Sequence, residues 1–182
     1  MSHVTMPKYF ITLLSVLLTF FITVSTYGQT PAAAPSRDKL LTTAREIIAS
    51  ARYAALITKG ANGQINARTM DPFAPAADMV IWFGTNPRSR KVREIRRDPR
   101  VTIYYLDPVA QAYVSIQGTA RLINSQQEKA RHWKEEWQAF YPDRDQNYLL
   151  IAVKPQRLEV ISVKGGLTGD PITWEPHSVS FR

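Results

Sequence analysis

Between Ser36 and Arg52, apolar residues recur at Leu40, Leu41, Ala44, Ile47 and Ile48. That spacing predicts a helix with one apolar face, and Ser36 is placed to cap its start. The stretch Tyr53 to Lys59 then reads as a strand, and Gly60-Ala61-Asn62-Gly63 supplies turn residues that accept positive φ. Gln64 to Met70 reads as the returning strand of a hairpin. Asp71-Pro72-Phe73-Ala74-Pro75 cannot continue a central strand, because proline donates no hydrogen bond. Met79 to Thr85 has the composition of a buried strand, and Ser89 to Arg97 that of a short helix stopped by Asp98-Pro99. Val101 to Leu106 is β-branched and aromatic, hence a strand. Ala112 to Leu122 is another, with Gly118 marking a bulge or a close backbone approach. Gln126 to Phe140 is expected to be helical, with Trp133, Trp137 and Phe140 at helical spacing. Leu149 to Val153 and Arg157 to Val163 read as a final strand pair around Pro155, before a Gly- and Pro-rich tail from Lys164 that carries Trp174 and Phe181. The pattern is mainly β in an α+β arrangement: about six antiparallel strands forming a barrel with flanking helices.

Residues 1–28 follow the order of a secretory signal: Lys8, an apolar run from Tyr9 to Val24, then small residues around Thr26 and Gly28. A run of about sixteen residues is short for a bilayer, which needs roughly twenty. Cleavage near Gly28–Gln29 is therefore expected, with export to the periplasm or beyond and no stable membrane span afterwards. Residues 29–35 (QTPAAAP) read as a flexible leader, and 36–182 as one folded domain.

Composition narrows the chemistry. At 182 residues the chain suits one compact domain, and 45% hydrophobic with 21% charged residues is ordinary for a globular protein. The net charge of +8 favours acidic partners without choosing among them. There is no cysteine, which excludes disulfides, thiolate catalysis and thiolate metal sites.

The most informative stretch is Trp82 to Leu106 (WFGTNPRSRKVREIRRDPRVTIYYL). A strand ends at Thr85, and Ser89 opens a helix with Arg90 and Lys91 in its first turn. A helix start presents unpaired N–H groups and a positive dipole end. A hydroxyl, a guanidinium and an ammonium added there make a phosphate cradle. A solvated basic helix carrying Arg88, Arg93, Arg96, Arg97 and Arg100 fits the same residues. A nucleic-acid patch lacks support, since the nearby aromatics lie on the strand. Spacing alone gives an anion site of unstated kind.

Thr85-Asn86-x-x-Ser89-Arg90-Lys91, followed by Asp98-Pro99 and a strand, resembles a segment of the pyridoxamine 5'-phosphate oxidase family. Arg68-Thr69-Met70 upstream and Tyr113 to Gly118 downstream extend the resemblance, and Trp133 to Pro155 is similar to the general-stress-protein branch. The resemblance runs roughly from Leu40 to Val163. It implies a split barrel, a homodimer with FMN at the subunit interface, and no metal. It places Arg68, Arg90 and Lys91 on the FMN phosphate, with Ser89 capping the helix beside it. Thr69, Met70, Gly84 and Thr85 would line the flavin. FAD or a deazaflavin would suit the same cradle. The sequence departs from the oxidases proper, because Glu159 is followed by Val160-Ile161-Ser162-Val163-Lys164 and not by their tryptophan and spaced arginines. Tyr113 also stands where the oxidases commonly have glutamine. The flavin site is thus expected to be kept and the vitamin-phosphate site lost. The expected function is a flavin-dependent oxidoreductase acting on a small molecule other than pyridoxamine phosphate, with no catalytic residue named. The alternative is a non-catalytic protein that holds or buffers flavin. A protein that uses its basic surface without flavin is a third reading.

Other residues carry less chemistry. His132 and Glu136 have the spacing of two metal ligands on a helix, but no third ligand accompanies them, and they read as a surface pair. Trp133 and Trp137 are expected in the core or an interface, and Trp174 needs a surface to cover. Ser115 lacks a nucleophile turn and a partnering histidine.

Overall fold

A computed structural model describes residues 34–182. The expected signal sequence and most of the expected leader lie outside the described residues. The elements in chain order are α1 (Arg37–Ala51), β1 (Ala54–Lys59), β2 (Ile65–Met70), β3 (Ile81–Thr85), α2 (Arg90–Arg97), β4 (Arg100–Asp107), β5 (Ala112–Ile123), α3 (Gln126–Arg131), a 3-10 turn (Glu135–Trp137), α4 (Arg144–Asn147), β6 (Leu149–Ser162) and β7 (His177–Ser180). The strands form one antiparallel sheet of order β2-β1-β4-β5-β6-β3, with β7 added to β6. The two edge strands approach each other only through a single bridge, Pro72 to Phe83, so the sheet curls without closing.

Alternation along the strands fills the interior. Leu56, Ile81, Phe83, Ile103, Tyr105, Val114, Ile116, Ile151, Val153, Leu158 and Val160 are each 0% exposed. α1 packs Leu40, Ala44, Ile47 and Ile48 onto this core, and the Ser36 hydroxyl accepts from the Lys39 amide at 3.2 Å to cap it. α2 turns Val92 and Ile95 inward and its arginines outward.

Three elements differ from the sequence expectation. The sheet has seven strands and not six, because the tail contributes β7, where Val179 is buried against Leu158. The expected final strand pair is one continuous strand, β6. Pro155 is tolerated inside it because β3 pairs with β6 only up to Val153 and β7 only from Arg157, so no neighbour on that side needs the missing donor. On the other side Pro155 faces Gly118 at the register shift in β5, where an added Cβ would come within 2.5 Å of the Lys154 carbonyl oxygen. The expected helix from Gln126 to Phe140 stops at Arg131, and Lys134 is extended. Tertiary packing breaks it: His132 stacks on Trp82, with ring centroids 4.1 Å apart.

Candidate anion-binding site

β3 ends at Thr85, and the chain turns through Asn86-Pro87-Arg88 into α2. The Asn86 side chain fixes this turn by accepting from the Arg88 amide at 2.8 Å, and its carbonyl accepts from the Ser89 amide at 3.0 Å. Ser89 is the residue that precedes α2, but its hydroxyl makes no capping bond. It lies 3.3 Å from the Thr85 hydroxyl instead. The Val92 amide donates to the Ser89 carbonyl at 3.2 Å, and the amides of Arg90 and Lys91 keep their donors for another acceptor. Lys91 Nζ donates to Thr85 Oγ1 at 3.1 Å. Burial, and then repulsion from Arg68, holds this ammonium below the ordinary lysine pKa, with Glu94 pulling the other way.

Glu94 is the anchor beneath these cations. Its side chain is 6% exposed and takes hydrogen bonds from Thr58 Oγ1 at 2.5 Å, Asn66 Nδ2 at 2.9 Å and Arg68 Nη2 at 2.9 Å. Arg90 Nε adds an ion pair at 3.3 Å. Burial by itself would raise the carboxyl pKa. The hydrogen bonds from Thr58 and Arg68 and the charges of Arg68 and Arg90 more than offset it, and Glu94 sits below the usual carboxylate range. Arg68 is further fixed by Leu56 O at 3.1 Å and Thr58 Oγ1 at 2.6 Å, both reached from Nη1. Arg68, Arg90 and Lys91 against one carboxylate leave a net charge of about +2, which matches a phosphate monoester near neutral pH.

Successive strand residues face opposite sides. Thr85 faces the cradle, and Gly84 faces an aromatic cluster. A Cβ on Gly84 would fall 2.4 Å from the Trp137 ring and 2.7 Å from the Tyr148 ring. Trp137 Nε1 donates to Asp71 Oδ2 at 3.2 Å, and Lys134 Nζ holds Asp71 Oδ1 at 2.7 Å and the Pro72 carbonyl at 2.9 Å. Phe73 meets the edges of His132 and Trp137, and the Tyr148 hydroxyl donates to the His132 carbonyl.

Of the residues singled out from the sequence, Arg68, Thr85, Ser89, Arg90 and Lys91 come together around Glu94. Thr69 is exposed at the end of β2, whereas the Met70 side chain is in the core and Gly84 is covered by the aromatics. Met70 and Gly84 thus have only backbone groups to offer a ligand. Both belong to edge strands, whose outward N–H and C=O groups lack strand partners. His132 and Glu136 do not share a helix face, since the helix ends between them. His132 Nδ1 lies 3.1 Å from the Glu128 carbonyl. Glu94, Thr58 and Asn66 were not anticipated. The available signal was one acid, four residues after Arg90, inside an otherwise basic helix.

Residues 39–169 match the family described as "Pyridoxamine 5'-phosphate oxidase like". The chain belongs to this family. Among curated members, general stress protein 26 of Bacillus subtilis (strain 168) is 24% identical over 88 residues, which cover 46% of this chain and 63% of that relative's length. Solved structures share the fold. A protein related to general stress protein 26 from Clostridium acetobutylicum superposes with a TM-score of 0.66 at 18% identity, covering 80% of this chain and 96% of that one. A pyridoxamine 5'-phosphate oxidase-related, FMN binding protein from Nostoc punctiforme PCC 73102 gives 0.59 at 20% identity, covering 83% and 98%. General stress protein 26 from Bacillus anthracis str. Sterne gives 0.60 at 22% identity, covering 79% and 97%.

Proposed function

We infer that this pyridoxamine phosphate oxidase-like protein binds FMN and acts as a flavin-dependent oxidoreductase of the general-stress-protein type. The observation that carries the reading is the cradle around Glu94, with a net charge of about +2 beside the open amides of α2. Lys91 has three donors and a single hydroxyl partner, and the Arg90 side chain is 63% exposed, so both can turn to a phosphate. Ser89 adds a hydroxyl that the helix does not use. Arg68 keeps most of its donors on Leu56, Thr58 and Glu94 and supplies charge from behind. Flavin, when bound, supplies hydride or electron transfer, and the protein's part is to orient and tune it. The backbone edges at Thr69-Met70 and Gly84-Thr85 are the groups placed to orient it. The FMN-binding Nostoc neighbour supports the cofactor.

The substrate is a small molecule other than pyridoxamine phosphate. Glu159 lies in β6 and accepts from Arg157 Nε at 2.9 Å, and the residues directly after it, Val160 to Lys164, include no arginine to receive a second phosphate. Exposed apolar side chains at Leu106, Val109 and Val163 support a dimer. Export, with cleavage near Gly28–Gln29, completes the proposal, and an intact Met1 on secreted protein would refute that part.

The test is the visible spectrum of purified protein incubated with FMN and desalted. Retained flavin bands that appear in the supernatant after denaturation are expected. A colourless protein overturns the reading. Turnover with an electron donor and acceptor, faster than free FMN, separates an enzyme from a protein that only holds flavin.

A further inference from the structure

Arg90, Arg93 and Arg97 lie three and four residues apart on α2, so they form one stripe about 10 Å long. That stripe is one wall of a cleft of about 310 Å³. The opposite wall is the turn between β1 and β2, with Asn62 and Gln64, and the start of β2 at Asn66. The acid lining the cleft is Glu94, and its two oxygens are already taken by Thr58, Asn66, Arg68 and Arg90. Arg93 and Arg97 form no salt bridge among the described residues. Arg93 spends one amino group on the Arg88 carbonyl, at 3.0 Å, and keeps the rest of its fork. Like charges lined up in a concavity raise its potential and concentrate anions there. Guanidinium forks match phosphate oxygens in pairs, and amide side chains add neutral donors between them.

We propose that this cleft binds an oligophosphate. Its first phosphate meets Arg90, which the cleft shares with the cradle, and the next ones run along Arg93 and Arg97. Two sources carry that chemistry: the diphosphate tail of a dinucleotide flavin, which rests on the flavin reading, and a free oligophosphate, which does not.

The experiment uses the full chain and three probes, inorganic tripolyphosphate, FMN and FAD, with affinities measured by calorimetry. One variant is Arg93→Gln with Arg97→Gln, which keeps good helix formers in place. The control is Arg96→Gln with Arg121→Gln, two exposed arginines outside the cleft. Tripolyphosphate affinity should fall by about tenfold or more in the cleft variant, the loss of at least one charge-assisted contact. It should stay within about twofold in the control. An equal loss in both variants means general electrostatics and overturns the proposal, as does absence of tripolyphosphate binding to the parent. If FAD weakens in the cleft variant while FMN does not, the dinucleotide tail is the occupant. If neither flavin changes while tripolyphosphate weakens, the occupant is a free oligophosphate. If tripolyphosphate behaves as expected and neither flavin binds at all, the cleft stands and the flavin reading falls.

Discussion

Thr85 and Gly84 leave β3 on opposite faces and meet two differently built regions. Behind Thr85, cations from β2 and α2 gather on the buried carboxylate of Glu94. Behind Gly84, Trp137 and Tyr148 press so close that no side chain fits. The first region is held by charge and the second by volume. A buried ion is costly to desolvate and is tolerated only when its hydrogen-bonding capacity is filled, so the charged region should be sensitive to any change of charge. A close-packed cluster is indifferent to charge and sensitive to a methyl group. The division also assigns roles. Lys91 and Arg90 have donors to spare, whereas the aromatic cluster fixes the strand that carries Thr85.

The largest effect should come from the ligand side of the charged region. Arg90→Ala with Lys91→Ala should weaken FMN binding by about 3–6 kcal/mol, taking each charge-assisted contact at about 1.5–3. Arg90 is largely exposed and Glu94 keeps Thr58, Asn66 and Arg68 without it, so the melting temperature should fall far less than in a variant that removes Glu94. Unchanged FMN affinity in the double variant would remove the cradle from the site.

Glu94→Ala should come next, and in stability. It leaves Arg68 without its buried partner, at a cost of about 3–5 kcal/mol in urea unfolding. The same carboxyl sets a pH signature. Its pKa in the folded protein is lowered, so its contribution is fully present above the unfolded carboxylate range and is lost as pH falls through the lowered value. Glu94→Gln should flatten that acid limb. An acid limb equal to the parent's would mean that other carboxylates govern it.

In the aromatic region the contrast is Gly84→Ala. The added methyl must displace Trp137 or Tyr148, at about 1–3 kcal/mol, with no change in the acid limb. A neutral Gly84→Ala would show that the cluster is loosely packed and that the two regions differ less than their contacts indicate.

The charged region was more legible in the sequence than the aromatic one, for a physical reason. Thr85 to Glu94 is nearly contiguous, and a strand, a turn and a helix start place its donors locally. Only Arg68, Thr58 and Asn66 arrive from elsewhere. The aromatic cluster is assembled from Asp71-Phe73, Trp82-Gly84 and His132-Tyr148, which are far apart in the chain. The helical spacing of Trp133 and Trp137 pointed to a continuous helix there. The chain instead breaks at His132, because stacking on Trp82 and the hydrogen bond from Tyr148 outweigh local helix propensity. The positions of the strands were legible up to β5. Beyond it Pro155 argued for a break, and nothing local showed that β3 and β7 leave it a gap. Glu94 was hidden by its neighbours: a helix read by its cations conceals the one anion that organises them.

The smallest effect tests whether Lys91 reaches the ligand as a charge. Its pKa is lowered in the free protein, first by burial and then by Arg68. A bound phosphate favours the ammonium and raises that pKa again, so binding takes up a proton once the free protein has begun to lose it. FMN affinity should therefore begin to fall at a pH below the ordinary lysine value of 10.5. Phosphate is already a dianion over this range, so its own titration does not contribute. Lys91→Arg keeps a cation that does not titrate, and should keep the affinity level across the same range. Subtracting the two profiles isolates the lysine from any titration of the flavin ring. Parallel profiles would place the Lys91 ammonium outside the contact and leave the phosphate to Arg90, Ser89 and the amides of α2.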